Sequence, residues 1–261
     1  MLLAAWRYRY FIASSIRTEF RTRFARSRLG GLWMVLHPLS QVLIFAFVLS
    51  AVITAKLPGV TNRYGYSIYL MSGILGWSLF MEIVSRCLTI FIDSGSIMKK
   101  ITFPRIALPL IVLGSCVVNN LLLFVAILAI SVLLGHLPGA AIAWFPLVML
   151  INMALAVGVG LTLGVFNVFM RDIGQVVPVV LQFVYWLTPI IYTIDLLPAE
   201  YRGFVMANPL YPVITGYQDA ILFDRMPDLA GLGIVAVVAA VLLTASLVLF
   251  RRASPEIVDQ L

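Results

Sequence analysis

Six stretches of this 261-residue chain are each long and apolar enough to cross a lipid bilayer: residues 31–55, 67–92, 106–134, 143–169, 176–194 and 229–250. A hydrocarbon core about 30 Å thick takes about 20 residues of helix at 1.5 Å rise per residue. Lipid offers the backbone no hydrogen bonds, so each stretch must satisfy its own as a helix. The runs lack period-2 alternation and are far longer than barrel strands. Composition agrees: with 62% apolar and 11% charged residues, too few charges exist to coat a soluble globule. The expected fold is an all-α integral membrane protein. Residues 1–30 form a cytosolic amphipathic arm, and residues 31–261 form a six-helix transmembrane domain.

Lys and Arg placement sets the orientation. With the N-terminus inside, the inner segments hold Arg7, Arg9, Arg17, Arg21, Arg23, Arg26, Arg28, Lys99, Lys100, Arg105, Arg171, Arg251 and Arg252. The outer segments hold only Lys56, Arg63, Arg202 and Arg225. An even span count then puts both termini in the cytoplasm, and the net charge of +7 becomes a membrane-surface feature. No soluble basic face is left for nucleic acid. The apolar run after the arm has no small-residue cleavage pattern, so the arm reads as retained rather than as a removable signal.

Three segments outside the spans carry information. In the arm, Ile12, Ile16, Phe20 and Phe24 repeat at i, i+4, while Arg17, Arg21 and Arg28 gather on another side. Two readings stand: a topology signal, or an interfacial helix at the entrance for an anionic lipid. The inner loop, residues 93–105, is long for a hairpin and carries Lys99 and Lys100 between Gly95 and Pro104. It either docks a partner or adds inner positive charge. The outer connection, residues 195–228, mixes Pro198, Pro209, Pro212 and Pro227 with apolar pieces. It is too apolar for a solvated loop and too broken for a span. Re-entrant or interfacial helices fit it, acting as an outer gate or as a lid.

Enzymatic chemistry has little to build on. The two histidines, His37 and His136, fall near opposite ends of spans one and three. Cys87 and Cys116 both sit in apolar stretches, and no His/Cys/carboxylate cluster has metal-ligand spacing. No Gly-Lys pair occurs anywhere, so the chain has no P-loop of its own. No long internal repeat of the kind found in inverted-repeat carriers is visible. The charged pair within the spans, Glu82 and Arg86, lies four apart on one helix face and reads as a self-paired bridge. Driving energy must therefore come from a partner. Aromatics are plentiful: Trp33, Phe45 and Phe47 in span one, Trp77 and Phe80 in span two, Phe183, Tyr185, Trp186 and Tyr192 in span five. Most suit lipid contact and interfacial belts, but such faces also suit a neutral sugar conduit.

Specific words in the sequence resemble a family. The passage from Arg23 through Ser27, Leu29, Gly30 and Trp33 to Pro38 is similar to the entry to span one in membrane subunits of ATP-binding cassette polysaccharide exporters. So are Gly73 to Trp77 with Phe80, and Lys100 to Arg105 with Pro109. Asn167 to Ile173, Thr188 to Tyr192 (Thr188 where the family usually has Ser) and Asn208-Pro209-Leu210 follow in the family's order.

The resemblance implies a homodimeric permease on two copies of a separate nucleotide-binding subunit, which holds the ATP and Mg while this chain binds no cofactor. Its cargo would be an O-antigen-like polysaccharide on polyprenyl diphosphate, exported across the bacterial inner membrane. Arg17, Arg21 and Arg28 would attract the lipid head group. Trp33, Phe45, Phe183, Tyr185, Trp186 and Tyr192 would line the glycan path. Lys99, Lys100, Phe103, Pro104 and Arg105 would couple to the ATPase. Pro198, Tyr201, Asn208, Pro209, Tyr211 and Tyr217 would belong to the outer gate. An exporter of a drug, lipid or small glycolipid is the alternative cargo reading. A membrane enzyme lacks its acid–base cluster, and a passive scaffold leaves the gate-like segment unexplained.

Overall fold

The computed structural model describes residues 8–23, 64–95 and 106–260, together with Trp33, Leu36, Ser40, Leu43 and Ile44. Among the described residues every regular element is helical. The elements are α1 (Arg9–Arg23), α2 (Gly65–Asp93), α3 (Ala107–Leu133), α4 (Phe145–Phe169), α5 (Ile173–Trp186), α6 (Ala199–Met206), α7 (Leu210–Gln218) and α8 (Leu229–Gln260). A 3-10 turn, Ala140–Trp144, leads into α4, and a π turn, Asp219–Phe223, prolongs α7. The span expected at 31–55 lies outside the described residues except at five positions, all of them helical.

Four described helices are long and apolar enough to cross a membrane: Gly65–Asp93, Ala107–Leu133, Ala140–Phe169 and Leu229–Ser254. Their ends lie within a few residues of the apolar runs, except that α8 continues past Phe250 to Gln260. The expected crossing over 176–194 is different. Its helix spans Ile173–Trp186, 14 residues, or about 21 Å at 1.5 Å per residue. Pro189 ends it: proline has no N–H to donate and biases the preceding residue away from α geometry.

α2 is the hub, with α3 and α4 on its flanks and α7 wedged against both α2 and α4, while α8 packs along α4 and α1 along α3. Backbone contact makes the α2–α4 seam close. A Cβ at Gly160 would meet Val84 Cα at 3.1 Å and Cys87 Cβ at 2.8 Å, and one at Gly164 would collide with the Cys87 carbonyl. Two small residues four apart on one helix face are a common means of such approach in membranes, where van der Waals contact replaces the hydrophobic effect between helices.

Three buried asparagines then donate side-chain N–H groups to α2 carbonyls. Asn120 reaches Leu75 at 2.9 Å, Asn152 reaches Gly76 at 2.8 Å and Asn167 reaches Leu88 at 2.9 Å. These bonds give each helix pair a register that apolar packing alone would leave loose.

Candidate functional site

The break after α5 is the least regular part of the fold, and its polar backbone is accounted for by distant side chains. Tyr69 donates its hydroxyl to the Pro189 and Tyr192 carbonyls at 3.0 and 2.9 Å. Tyr66 donates to Ile191 O at 2.7 Å, and Gln218 Nε2 to Pro189 O at 3.1 Å. Non-helical backbone at membrane depth is tolerated where protein covers it, and here α2 and α7 supply the donors. Thr188 and Ile190 are almost wholly buried, so the break is packed into the bundle.

The aromatics of α5 divide into two sets. Tyr185 turns inward and meets the Trp77 ring edge-on, with centroids 5.3 Å apart, and Trp77 in turn meets Phe80. Phe183 and Trp186 point outward, 68% and 59% exposed, beside exposed Val176, Val179 and Val180. Helical spacing places these five on one face, which is left exposed among the described residues. Tyr192 donates to Trp186 O at 3.0 Å and so folds back on the helix end. Trp33 is partly exposed, and Phe45 lies outside the described residues.

The outer connection forms two short helices around a fixed corner. Pro198 caps α6, and Pro209 caps α7. Asn208 holds the junction: its Nδ2 donates to Thr188 Oγ1 at 2.9 Å, and its Oδ1 accepts from Leu210 N at 3.0 Å. Tyr201 is exposed and Tyr211 half-buried. Tyr217 is wholly buried instead; it sits over Gly76 and meets Phe145 edge-on at 5.6 Å. Its place is in the bundle core, where it anchors α7.

Beyond α7 the chain is pinned three times: His136 Nε2 lies 2.9 Å from Ile221 O, Asp224 Oδ1 accepts from Ala141 N at 2.9 Å, and Arg225 pairs with Asp219 at 2.7 Å. Burial pushes the Asp219 carboxyl up from its ordinary value, and the Arg225 guanidinium opposes that shift. Asp224 takes the left-handed conformation, φ 47°, which Asp tolerates better than most residues.

The arm is seated on the bundle. Ile16 lies against Gly114, Phe20 is buried, and Arg17 and Arg21 are exposed. The charged pair expected within α2 is not self-contained. Arg86 Nη2 lies 2.8 Å from Glu19 Oε1 on the arm, whereas Glu82 Oε1 is 3.9 Å from Nη1. Ser115 Oγ donates to Glu19 Oε2 at 2.7 Å, and Asn119 Nδ2 donates to Glu82 Oε1 at 2.7 Å. Glu19 was passed over in the sequence. Its signal was there: an acid between Ile16 and Phe20 falls on the apolar side of the arm.

Other candidates fall elsewhere. Arg28, His37, Lys99, Lys100, Phe103, Pro104 and Arg105 lie outside the described residues. Arg171 and Asp172 are exposed, and Asp172 starts α5 through its carbonyl, with no side-chain cap bond. Among the described residues no three His, Cys, Asp or Glu side chains gather as a metal site.

Residues 10–222 match the sequence model of the family described as ABC-2 type transporter. The O-antigen export system permease protein RfbA of Myxococcus xanthus is 28% identical over 262 residues, covering 98% of this chain and 97% of that protein. The protein of the same name from Klebsiella pneumoniae is 28% identical over 205 residues, 77% of this chain and 76% of its own. The polysialic acid transport protein KpsM of Escherichia coli is 23% identical over 243 residues, 89% of each chain.

Proposed function

This chain belongs to the ABC-2 type transporter family, and from that premise we propose that it is the permease subunit of an ATP-driven polysaccharide exporter. The observation that carries the reading is the end-to-end likeness to a permease named for O-antigen export, over 98% of this chain and 97% of that one. The cargo is a polysaccharide on a lipid diphosphate, taken from the cytosolic leaflet of the bacterial inner membrane. Two copies of the chain form the path, each with six crossings and both termini inside. The first crossing falls in 31–55, and the short α5 with its broken end completes the fifth.

Work comes from two copies of a separate nucleotide-binding subunit that holds ATP and Mg. Without a Gly-Lys pair the chain has no P-loop to do this itself. Residues 99–105 receive that subunit's movement. Arg17, Arg21 and Arg28 attract the diphosphate by charge-assisted hydrogen bonds. Phe183 and Trp186, aromatic and exposed on α5, give the sugar chain apolar faces to slide over, and Trp33 and Phe45 add to the same path. Tyr185 and Tyr192 hold that face in place from behind. The helices α6 and α7 act as the outer gate, with Pro198, Tyr201, Pro209 and Tyr211 on its surface and Asn208 and Tyr217 fixing it to the bundle.

Deleting the chain in its host tests this. The expected result is loss of surface polysaccharide with glycan-lipid accumulating on the cytosolic leaflet. Normal surface polysaccharide, with a defect confined to efflux of small amphiphiles, would reassign the cargo to a drug, lipid or small glycolipid.

A further inference from the structure

Arg86 stands between two carboxylates that belong to different elements. Glu19 of the arm holds it at 2.8 Å, and Glu82, one turn back on its own helix, waits at 3.9 Å. All three side chains are about three-quarters buried, roughly two turns inside the ends of α2 and α3. An arginine left without a carboxylate here would be costly. Glu19 is also fixed by Ser115 and Glu82 by Asn119, so both acceptors are held ready. If the arm lifts away, Arg86 need only close about 1 Å to reach Glu82 at bonding distance. Its charge is never abandoned. The same register explains the arm's exposed side: residues two apart on a helix point to nearly opposite sides, so Glu19 facing the bundle turns Arg17 and Arg21 outward.

We propose that Glu19 is a positioning residue and that Arg86 is the moving part of a two-position latch. With the arm docked, Arg86 rests on Glu19; with the arm released, it rests on Glu82. The inference builds on the export reading above, in which Arg17 and Arg21 meet the cargo head group. The latch couples that meeting to α2 and α3, the two helices on either side of residues 96–105 in the sequence.

The two carboxylates then have opposite effects on one observable. Glu19→Gln removes the docked partner and releases the arm. Glu82→Gln removes the released partner but keeps an acceptor for Asn119, so the arm stays down. The probe is maleimide labelling of an Ile16→Cys cysteine in the full chain, assembled with its nucleotide-binding subunit in membranes. Cys87 and Cys116 are buried, so the parent chain sets the background. Glu19→Gln should raise the labelling rate by about tenfold, the factor set by one lost charge-assisted hydrogen bond, and Glu82→Gln should lower it below the parent rate. A cysteine at exposed Thr18, off the docked face, should label at one rate throughout. If Glu19→Gln fails to assemble, Glu19→Asp keeps the charge but shortens its reach, and should give a smaller rise.

Movement of both variants in the same direction, or no change beyond twofold in either, overturns the latch. Labelling needs no cargo. If rates shift as expected but no polysaccharide is exported by the parent chain, the latch stands and the cargo reading fails.

Discussion

Tyr69 illustrates how one hydroxyl sustains a break after an apolar helix. It serves two carbonyls of the segment after α5, at 3.0 and 2.9 Å. Tyr69→Phe keeps the ring; Pro189 O retains Gln218 as a donor, but Tyr192 O loses the Tyr69 hydroxyl, and an unsatisfied buried acceptor costs about 1–3 kcal/mol. The variant should melt earlier in detergent while ordinary helix content is retained in circular dichroism.

At Asp219, burial favours the neutral acid and the Arg225 guanidinium favours the ionised form. The folded state thus holds that proton more tightly than the unfolded chain does. The contribution is fully present below the ordinary carboxyl value and is lost as pH rises through the raised one. Arg225→Gln raises the folded value further. We expect a loss of about 1–2 kcal/mol near neutral pH, the scale of one exposed charge-assisted bond. Melting curves taken as pH falls from neutral toward the ordinary carboxyl range should show part of it recovered; a loss that does not vary with pH would contradict the assignment.

Among the elements, the seam between α2 and α4 depends on the absence of side chains. Gly164→Leu would drive a branched side chain into the Cys87 carbonyl, and overpacking of this kind costs typically 1–3 kcal/mol. Its folded yield should fall well below that of Gly233→Ala, where an added Cβ meets nothing within 4 Å, as read by monodisperse protein on gel filtration. The exposed face of α5 predicts the reverse pattern. Phe183→Ala with Trp186→Ala removes outward rings, so the melting temperature should hold while polysaccharide export falls several-fold.

The long helices were legible in the sequence because bilayer thickness imposes a minimum apolar length, and α2, α3 and α4 meet it within a few residues. The end of α8 was not legible, since apolarity stops at Arg251 while the helix continues to Gln260. The end of α5 was hidden for another reason. Leu187 to Ile194 is as apolar as a span, and the donors that let it leave the helix, Tyr66, Tyr69 and Gln218, are distant in sequence. Pro189 was the local clue. Glu82 and Arg86 looked self-sufficient because i,i+4 spacing is visible in sequence, whereas the closer partner sits on the arm. Of the path candidates, spacing alone could not separate outward Phe183 and Trp186 from inward Tyr185.

Taken whole, the described residues form a set of helices, four of them long and apolar enough to cross a membrane, and the sequence holds no Gly-Lys pair from which to build a P-loop. On the proposed reading the chain defines the path and carries the cargo contacts, and a separate nucleotide-binding subunit supplies the force. The most direct test is transport in vesicles. With the nucleotide-binding subunit and ATP present, lipid-linked polysaccharide should move across the membrane, and omission of either should stop it. Movement against a gradient by this chain alone, without nucleotide, would contradict the account.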